Sequence, residues 1–415
     1  MATSEVQRAG ERVHAAAPQV AALSNVQRMN GLRSAAQQIR DQAGLIQAAN
    51  AKDLARGADE GLTTTALDRL ALNDARIESM AEGLETVANL PDPIGVIREQ
   101  KTLANGLSVQ RVQVPLGVIG VIYENRPNVT CDVAGLCVRS GNVAFLRGSS
   151  SALESNRAIV AALQAGFDQA SVPRDAVTLL EDVSHEAAVE FMQLDDILDV
   201  LIPRGGPRLI ASMKEHATVP IILDGDGNCH IYVDSEADLE MALPIIINAK
   251  TQRPGVCNAM ESLVVHRSVG PALLARLGTE MGEVQLLGDD AACAMDGRIE
   301  RASNDDFSRE FLDLVATVKI VDSLDEAIAH IAEHGSGHSE AIVTANEATA
   351  EIFLARVDAA AVLWNASTRF VDGSELGLGS EVGISTQKLH ARGPMGLDAL
   401  MSVKWIIRGE GQVRS

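Results

Sequence analysis

A chain of 415 residues is too long for one ordinary hydrophobic core, so two or three domains are expected. Its net charge of −21 excludes a general nucleic-acid binder and disfavours an anionic membrane surface, both of which require a basic face. Five cysteines form no Cys-x-x-Cys pair and no zinc spacing, so no metal is expected, and the odd count with a polar N-terminus points to the reducing cytoplasm.

Residues 1–90 read as helical, rich in Ala, Gln, Glu and Arg, with apolar residues at helical spacing across 25–49. Pro91 and Pro93 close that region. Asn105-Gly106, flanked by Leu103 and an alternating run over 107–114, predicts a β-hairpin, either an oligomer contact or an ordinary edge ribbon. From Gly117 onward, apolar strands are expected at 118–123, 143–146, 177–180, 200–202 and 219–223, with helices between them at 129–139, 152–169, 186–194 and 208–216. Continuous apolar strands separated by helices imply a parallel sheet covered on both faces, and such sheets bind ligands beyond their carboxyl ends. A second α/β unit follows, with a helix at 238–249 and strands at 262–265, 317–321, 341–344 and 361–364. The tail turns glycine-rich from Gly373 and ends in a strand-like run at 402–407.

Chemistry concentrates at four places. Cys257 follows a Pro-Gly turn in Arg253-Pro254-Gly255-Val256-Cys257-Asn258, a position that holds a thiol at a cleft edge without burying it. Cys131, Cys137 and Cys293 fall in helical stretches where cysteine is a small hydrophobe, and Cys229 precedes a strand. The 118–123 strand ends in Glu124-Asn125-Arg126-Pro127-Asn128, where Asn125 could aim an amide N–H at an oxyanion. Arg147-Gly148-Ser149-Ser150-Ser151 runs from a strand into a helix, with Ser151 and Glu154 spaced as a capping box. Its helix start and Arg147 suit a ribose phosphate, or form a plain serine cap. No carboxylate lies among 148–151, which favours NADP over NAD. Arg204-Gly205-Gly206 lets backbone approach a pyrophosphate, or is an ordinary Gly-Pro turn; the Gly-x-Gly-x-x-Gly fingerprint is absent. Basic residues also collect in 202–214 and 381–408, against the acidic background.

Taken in this order, these segments resemble the aldehyde dehydrogenase superfamily and, within it, the γ-glutamyl phosphate reductase family. The resemblance covers the chain beyond its helical N-terminus and is most specific at 123–128, 201–206, 250–261 and the long glycine-polar run 377–397. It implies an α/β, aldehyde-dehydrogenase-like fold: a parallel-sheet cofactor domain, a second α/β catalytic domain and a small β oligomerisation element. The boundaries expected are 1–100 and 116–230 for the cofactor domain, and 231–372 for the catalytic domain carrying Cys257. Residues 373–397 return to the cofactor domain, while 101–115 and 398–415 make the oligomerisation ribbon and tail.

The resemblance further implies that Cys257 is the nucleophile, that Asn125 is the oxyanion donor and that Arg147 stands where relatives hold the cofactor ribose; with Arg147, the candidates to hold NADPH are Gly148, Ser149, Arg204, Gly205 and Gly206. The substrate would be L-glutamyl 5-phosphate, reduced to L-glutamate 5-semialdehyde in the second step of proline synthesis from glutamate. Arg126, Arg253, His390 and Arg392 are candidates for its phosphate and α-carboxylate. A homo-oligomer and association with glutamate 5-kinase are the expected partnerships. One departure is informative. Hydrolytic relatives carry a glutamate general base where this chain reads Ile222-Leu223-Asp224-Gly225-Asp226-Gly227-Asn228. Without that glutamate a thioacyl enzyme is shielded from water, unless Asp224 or Asp226 substitutes. The competing expectations are a hydrolytic aldehyde dehydrogenase and an inactive cofactor-binding scaffold.

Overall fold

The structure, a computed structural model, describes residues 4–414 and divides into two compact units. The first takes the chain through Leu223, together with 377–383 and the stretch from Met395 onward. The second takes 224–376 and 384–394.

The first unit opens with the helices Glu5–Ala21, Asn25–Asp41, Ala43–Asp59, Thr64–Leu70 and Asp74–Asn89. Ser24 and Gln27 form a reciprocal capping box at the second of these. The Asn25–Asp41 helix buries Leu32, Ala35, Ala36 and Ile39, one stripe at i, i+3, i+4 and i+7. With few aromatics available, close approach of small residues does the packing. A Cβ on Gly166, in the helix Leu153–Gln169, would overlap the backbone of Ala35.

The sheet of this unit is parallel, in the order Val177–Leu179, Val143–Gly148, Val118–Tyr123, Val200–Arg204. Every residue of Val118–Tyr123 is buried, as expected of a parallel strand between two helical layers. Its register sets Tyr123 opposite both Gly148 and Arg204. The segments that follow these three strands therefore leave the sheet along one carboxyl edge. The strand expected at 219–223 does not form. Leu201 and Ile221 make one isolated bridge, because Pro220 has no N–H to extend the ladder.

Ile97–Thr102, Ser108–Pro115 and Met401–Arg408 form a separate antiparallel sheet with Ser108–Pro115 at its centre. The hairpin turns at Asn105-Gly106, where Gly106 adopts φ 87° and its N–H reaches the Leu103 carbonyl at 2.9 Å.

The second unit holds a seven-stranded parallel sheet. Its order is Glu300–Arg301, Gln285–Gly288, Val315–Val321, Met260–His266, Cys229–Val233, Ser339–Val343, Ala361–Trp364. Ile231, Val233, Leu263 and Val265 pack in one cluster with Leu243, Ile246 and Leu273. Tyr232, Val264 and Ile342 pack in another with Ile328, Ile331 and Phe353. Alternate residues of each strand thus enter two cores on opposite faces.

The units divide at 223/224 where 230/231 was expected, and at 376/377 where 372/373 was expected. Of the tail, 384–394 groups with the second unit. Hydrogen bonds explain this: Asp224 accepts the Ile384 N–H at 2.8 Å, and the Gly225 N–H reaches the Ile384 carbonyl at 2.9 Å. Cys229 does not precede a strand but begins one.

Candidate active site

Cys257 lies on the turn between the helix Leu239–Thr251 and Met260–His266, the central strand of the second sheet. This places the thiol at the amino edge of that sheet, whereas general experience with such sheets points to the carboxyl edge. A buried ion pair closes the base of the turn. Lys250 Nζ meets Glu261 Oε2 at 2.7 Å, and neither side chain is exposed. Burial lowers the Lys250 pKa against the opposing pull of Glu261, and burial pushes Glu261 up to about 7 against the pull of Lys250.

The turn is fastened at several further points. Asn258 Nδ2 donates to the Val371 carbonyl at 2.9 Å, and Thr368 Oγ1 donates to the Asn258 carbonyl at 2.7 Å. Gly227 packs so closely that a Cβ there would overlap the Cys257 carbonyl. Cys229 Sγ donates to that same carbonyl at 3.1 Å. Cys229 is fully buried, and burial holds its thiol far above the usual range, so it stays a donor. Behind it, His338 Nδ1 lies 3.7 Å away; burial pushes that imidazole down to about 4, so it stays neutral.

Cys257 itself is half-buried. Cys131 and Cys137 are enclosed in the helix Val129–Arg139, where burial raises their pKa and silences them as nucleophiles. Cys293 is half-buried but donates to the Gly288 carbonyl beside its own helix. Cationic groups collect around the Cys257 turn. Arg253 is exposed beside it, and Arg369, which sequence reasoning missed, interacts electrostatically with both Arg253 and Cys257. Arg369 lies 112 residues further along the chain than Cys257, so no local pattern could have revealed it. Arg392 is already committed, donating to Asp358 at 2.8 Å, and Lys388 pairs with the same carboxylate. His390 is exposed.

The segment that lacks a glutamate is also engaged. Asp224 is taken by the Ile384 N–H, and Asp226 is exposed. A glutamate does reach this segment from elsewhere: Glu310 Oε1 accepts the Gly227 N–H at 2.9 Å.

At the carboxyl edge of the first sheet, Asn125 adopts φ 45°, a conformation asparagine tolerates better than most side chains. The hydroxyls of Ser149 and Ser151 both donate to Asn125 Oδ1, and Ser149 Oγ also accepts the Asn125 N–H at 3.3 Å. With its oxygen held by two hydroxyls, the amide Nδ2 is left as the donor. Arg126 is half-buried. Gly148 allows close packing, since a Cβ there would overlap the Asn156 side chain.

Two expectations for the cofactor segments are corrected. The Ser151–Glu154 capping box is absent, because Ser151 is spent on Asn125. Instead Asp53, fully buried, accepts the N–H groups of Glu154 and Ser155, the latter at 2.7 Å. That helix start is already neutralised by a carboxylate. Arg56 pairs with Asp53 and also donates to the Ser150 carbonyl at 2.7 Å, placing a guanidinium beside the serine run. Arg147 turns elsewhere: its Nη2 donates to the carbonyls of Val183 at 2.8 Å and Ser184 at 3.1 Å.

The Arg204-Gly205-Gly206 segment fits a diphosphate better. The helix that follows it, Pro207–His216, has no side-chain cap, and a Cβ on Gly206 would meet open space. Glu124 accepts the Gly206 N–H at 3.1 Å and packs against Gly205, fixing the turn ahead of the helix. Among the described residues, no cluster of His, Cys, Asp and Glu could hold a metal ion. No helix among them is long and apolar enough to cross a membrane.

Comparison with known proteins matches residues 1–309 to the aldehyde dehydrogenase family. The γ-glutamyl phosphate reductase of Heliobacterium modesticaldum is 51% identical over 414 residues, covering 99% of each chain. That of Moorella thermoacetica is 50% identical over 412 residues, again covering 99% of each. The crystal structure of γ-glutamyl phosphate reductase from Thermotoga maritima superposes with a TM-score of 0.96 at 40% identity, covering 99% of this chain and 100% of that one. The chain therefore belongs to the aldehyde dehydrogenase family and, within it, to the γ-glutamyl phosphate reductases.

Proposed function

We propose that the chain reduces L-glutamyl 5-phosphate to L-glutamate 5-semialdehyde and phosphate in proline biosynthesis, with NADPH as reductant. The observation that carries this reading is Cys257, half-buried on a fastened turn, in a chain about half identical over its full length to named γ-glutamyl phosphate reductases. The Cys257 thiolate attacks the acyl carbon, and the carbon–oxygen bond to phosphate breaks with its electron pair leaving on phosphate. Asn125 Nδ2 and the Cys257 N–H stabilise the oxyanion that forms. Aldehyde dehydrogenases use nicotinamide cofactors, and NADPH, held by the residues named below, would supply the hydride that reduces the thioester. Collapse of the resulting thiohemiacetal breaks the carbon–sulfur bond and returns the thiolate.

Phosphate is a good leaving group, so cations matter more than a general acid. Arg253 and Arg126 are proposed to receive it. Arg392, held by Asp358, and the exposed His390 rank behind them. The uncapped helix at Gly206, with Arg204 and Gly205, is proposed for the cofactor diphosphate. Gly148 and Ser149, with Arg56 beside Ser150, are proposed for the ribose side, and Arg147, turned to the Val183 and Ser184 carbonyls, ranks behind them. Asp224, committed to the Ile384 N–H, is unsuited to activating water, which supports a thioester reserved for reduction. The antiparallel ribbon is proposed to join copies of the chain, with cytoplasmic glutamate 5-kinase delivering the acyl phosphate.

The test runs the reaction backwards, oxidising the semialdehyde with NADP and phosphate. Cys257→Ser should reduce the rate by roughly 10⁴-fold or more. Near-normal turnover in that variant would refute covalent catalysis.

A further inference from the structure

Arg369 is the middle residue of the short turn Thr368–Phe370, and this turn is fastened to the residue beside the nucleophile. Thr368 holds the Asn258 carbonyl, and Asn258 Nδ2 holds the Val371 carbonyl, so Arg369 is bracketed by two bonds to Asn258. The guanidinium is half-buried and donates through Nε to Gln252 Oε1 at 2.7 Å. No carboxylate among the described residues lies within 4.0 Å of it, so its Nη fork carries no ion pair.

Arg369, Gln252, Phe370, Asp372, Ser374 and Glu375 line one depression in the second unit. Asp372 and Glu375 lie close enough to act electrostatically on Arg369, yet neither pairs with it. Opposite charges held apart in one depression form the complement of a zwitterion. A guanidinium with an unengaged fork matches a carboxylate bidentately. A phosphate dianion would instead meet two carboxylates here and be repelled.

We propose that this depression receives the α-amino acid end of the substrate. Arg369 takes the α-carboxylate as a fork, Asp372 and Glu375 take the α-ammonium, and Phe370, 53% exposed, offers an apolar wall. The inference rests on the substrate proposed above and names where that substrate is told apart from simpler aldehydes.

The experiment compares aldehydes in the reverse reaction with NADP and phosphate. The set is L-glutamate 5-semialdehyde, 5-oxopentanoate, which lacks the ammonium, and butanal, which lacks both head-group charges. Arg369→Ala should raise KM for the first two by roughly 10- to 100-fold, well beyond any change for butanal. Asp372→Asn with Glu375→Gln should raise KM for the semialdehyde alone. Equal losses on butanal would place Arg369 at the thiol and overturn the head-group site. Retention of the semialdehyde preference in Arg369→Ala would overturn it too. A wild type that handles butanal and the semialdehyde equally well would instead overturn the substrate reading, and the site with it.

Discussion

At the scale of single residues, a second thiol, Cys229, is bonded to the backbone of Cys257. Cys229 never ionises in the working range, because burial removes the solvent that would stabilise its thiolate. It serves as a donor to the Cys257 carbonyl, fixing the peptide from which the proposed nucleophile projects. Cys229→Ala should lower kcat by about 5-fold with little change in KM, since one neutral hydrogen bond contributes about 1 kcal/mol. Cys229→Ser, which keeps a donor, should recover part of the loss. A change confined to KM, or no change in either variant, would show that Cys229 only fills space. Its part was not legible in sequence. Cys229 reads as the lead-in to a strand, and only strand pairing with Met260 places it under a turn 28 residues later.

At the scale of elements, the Cys257 turn is closed by the Lys250–Glu261 pair, which joins the last turn of one helix to the first residues of one strand. Removing one partner strands a buried charge, so Lys250→Met should destabilise by about 3–5 kcal/mol. The pH dependence has a definite sign. Glu261 has a folded pKa near 7, raised above its unfolded value, so its contribution is fully present below the ordinary carboxylate range and is lost as pH rises through about 7. Without Lys250 the ionised form loses its counter-charge, and the deficit should grow between about pH 6 and about pH 8. Urea denaturation at both values checks this, and a deficit that shrinks as pH rises would contradict it. The parallel strands and the Asn105-Gly106 hairpin are legible because their signals are local: apolar runs between helical repeats, and an αL-tolerant turn pair. The cap on the helix Leu153–Gln169 is not, because it is delivered by Asp53 from 102 residues away. The serine run that imitates a cap is used to orient Asn125 instead.

At the scale of the whole molecule, the chain divides into two compact units at 223/224 and 376/377, with 384–394 in the second. Cys257 and its glycine-polar tail could be found in sequence because their residue types are unusual in combination. Arg369 could not, since its place is set by the bonds that Thr368 and Val371 on either side of it make with Asn258 across the fold of the second unit. Cys257 is proposed to form a thioester which water does not reach and phosphate does. Rapid mixing of enzyme, NADP and L-glutamate 5-semialdehyde without phosphate tests it most directly. A burst of about one NADPH per Cys257 is expected, then a stall that added phosphate releases, with no burst in Cys257→Ser. Steady phosphate-independent turnover would contradict it, because the thioester would then be open to hydrolysis.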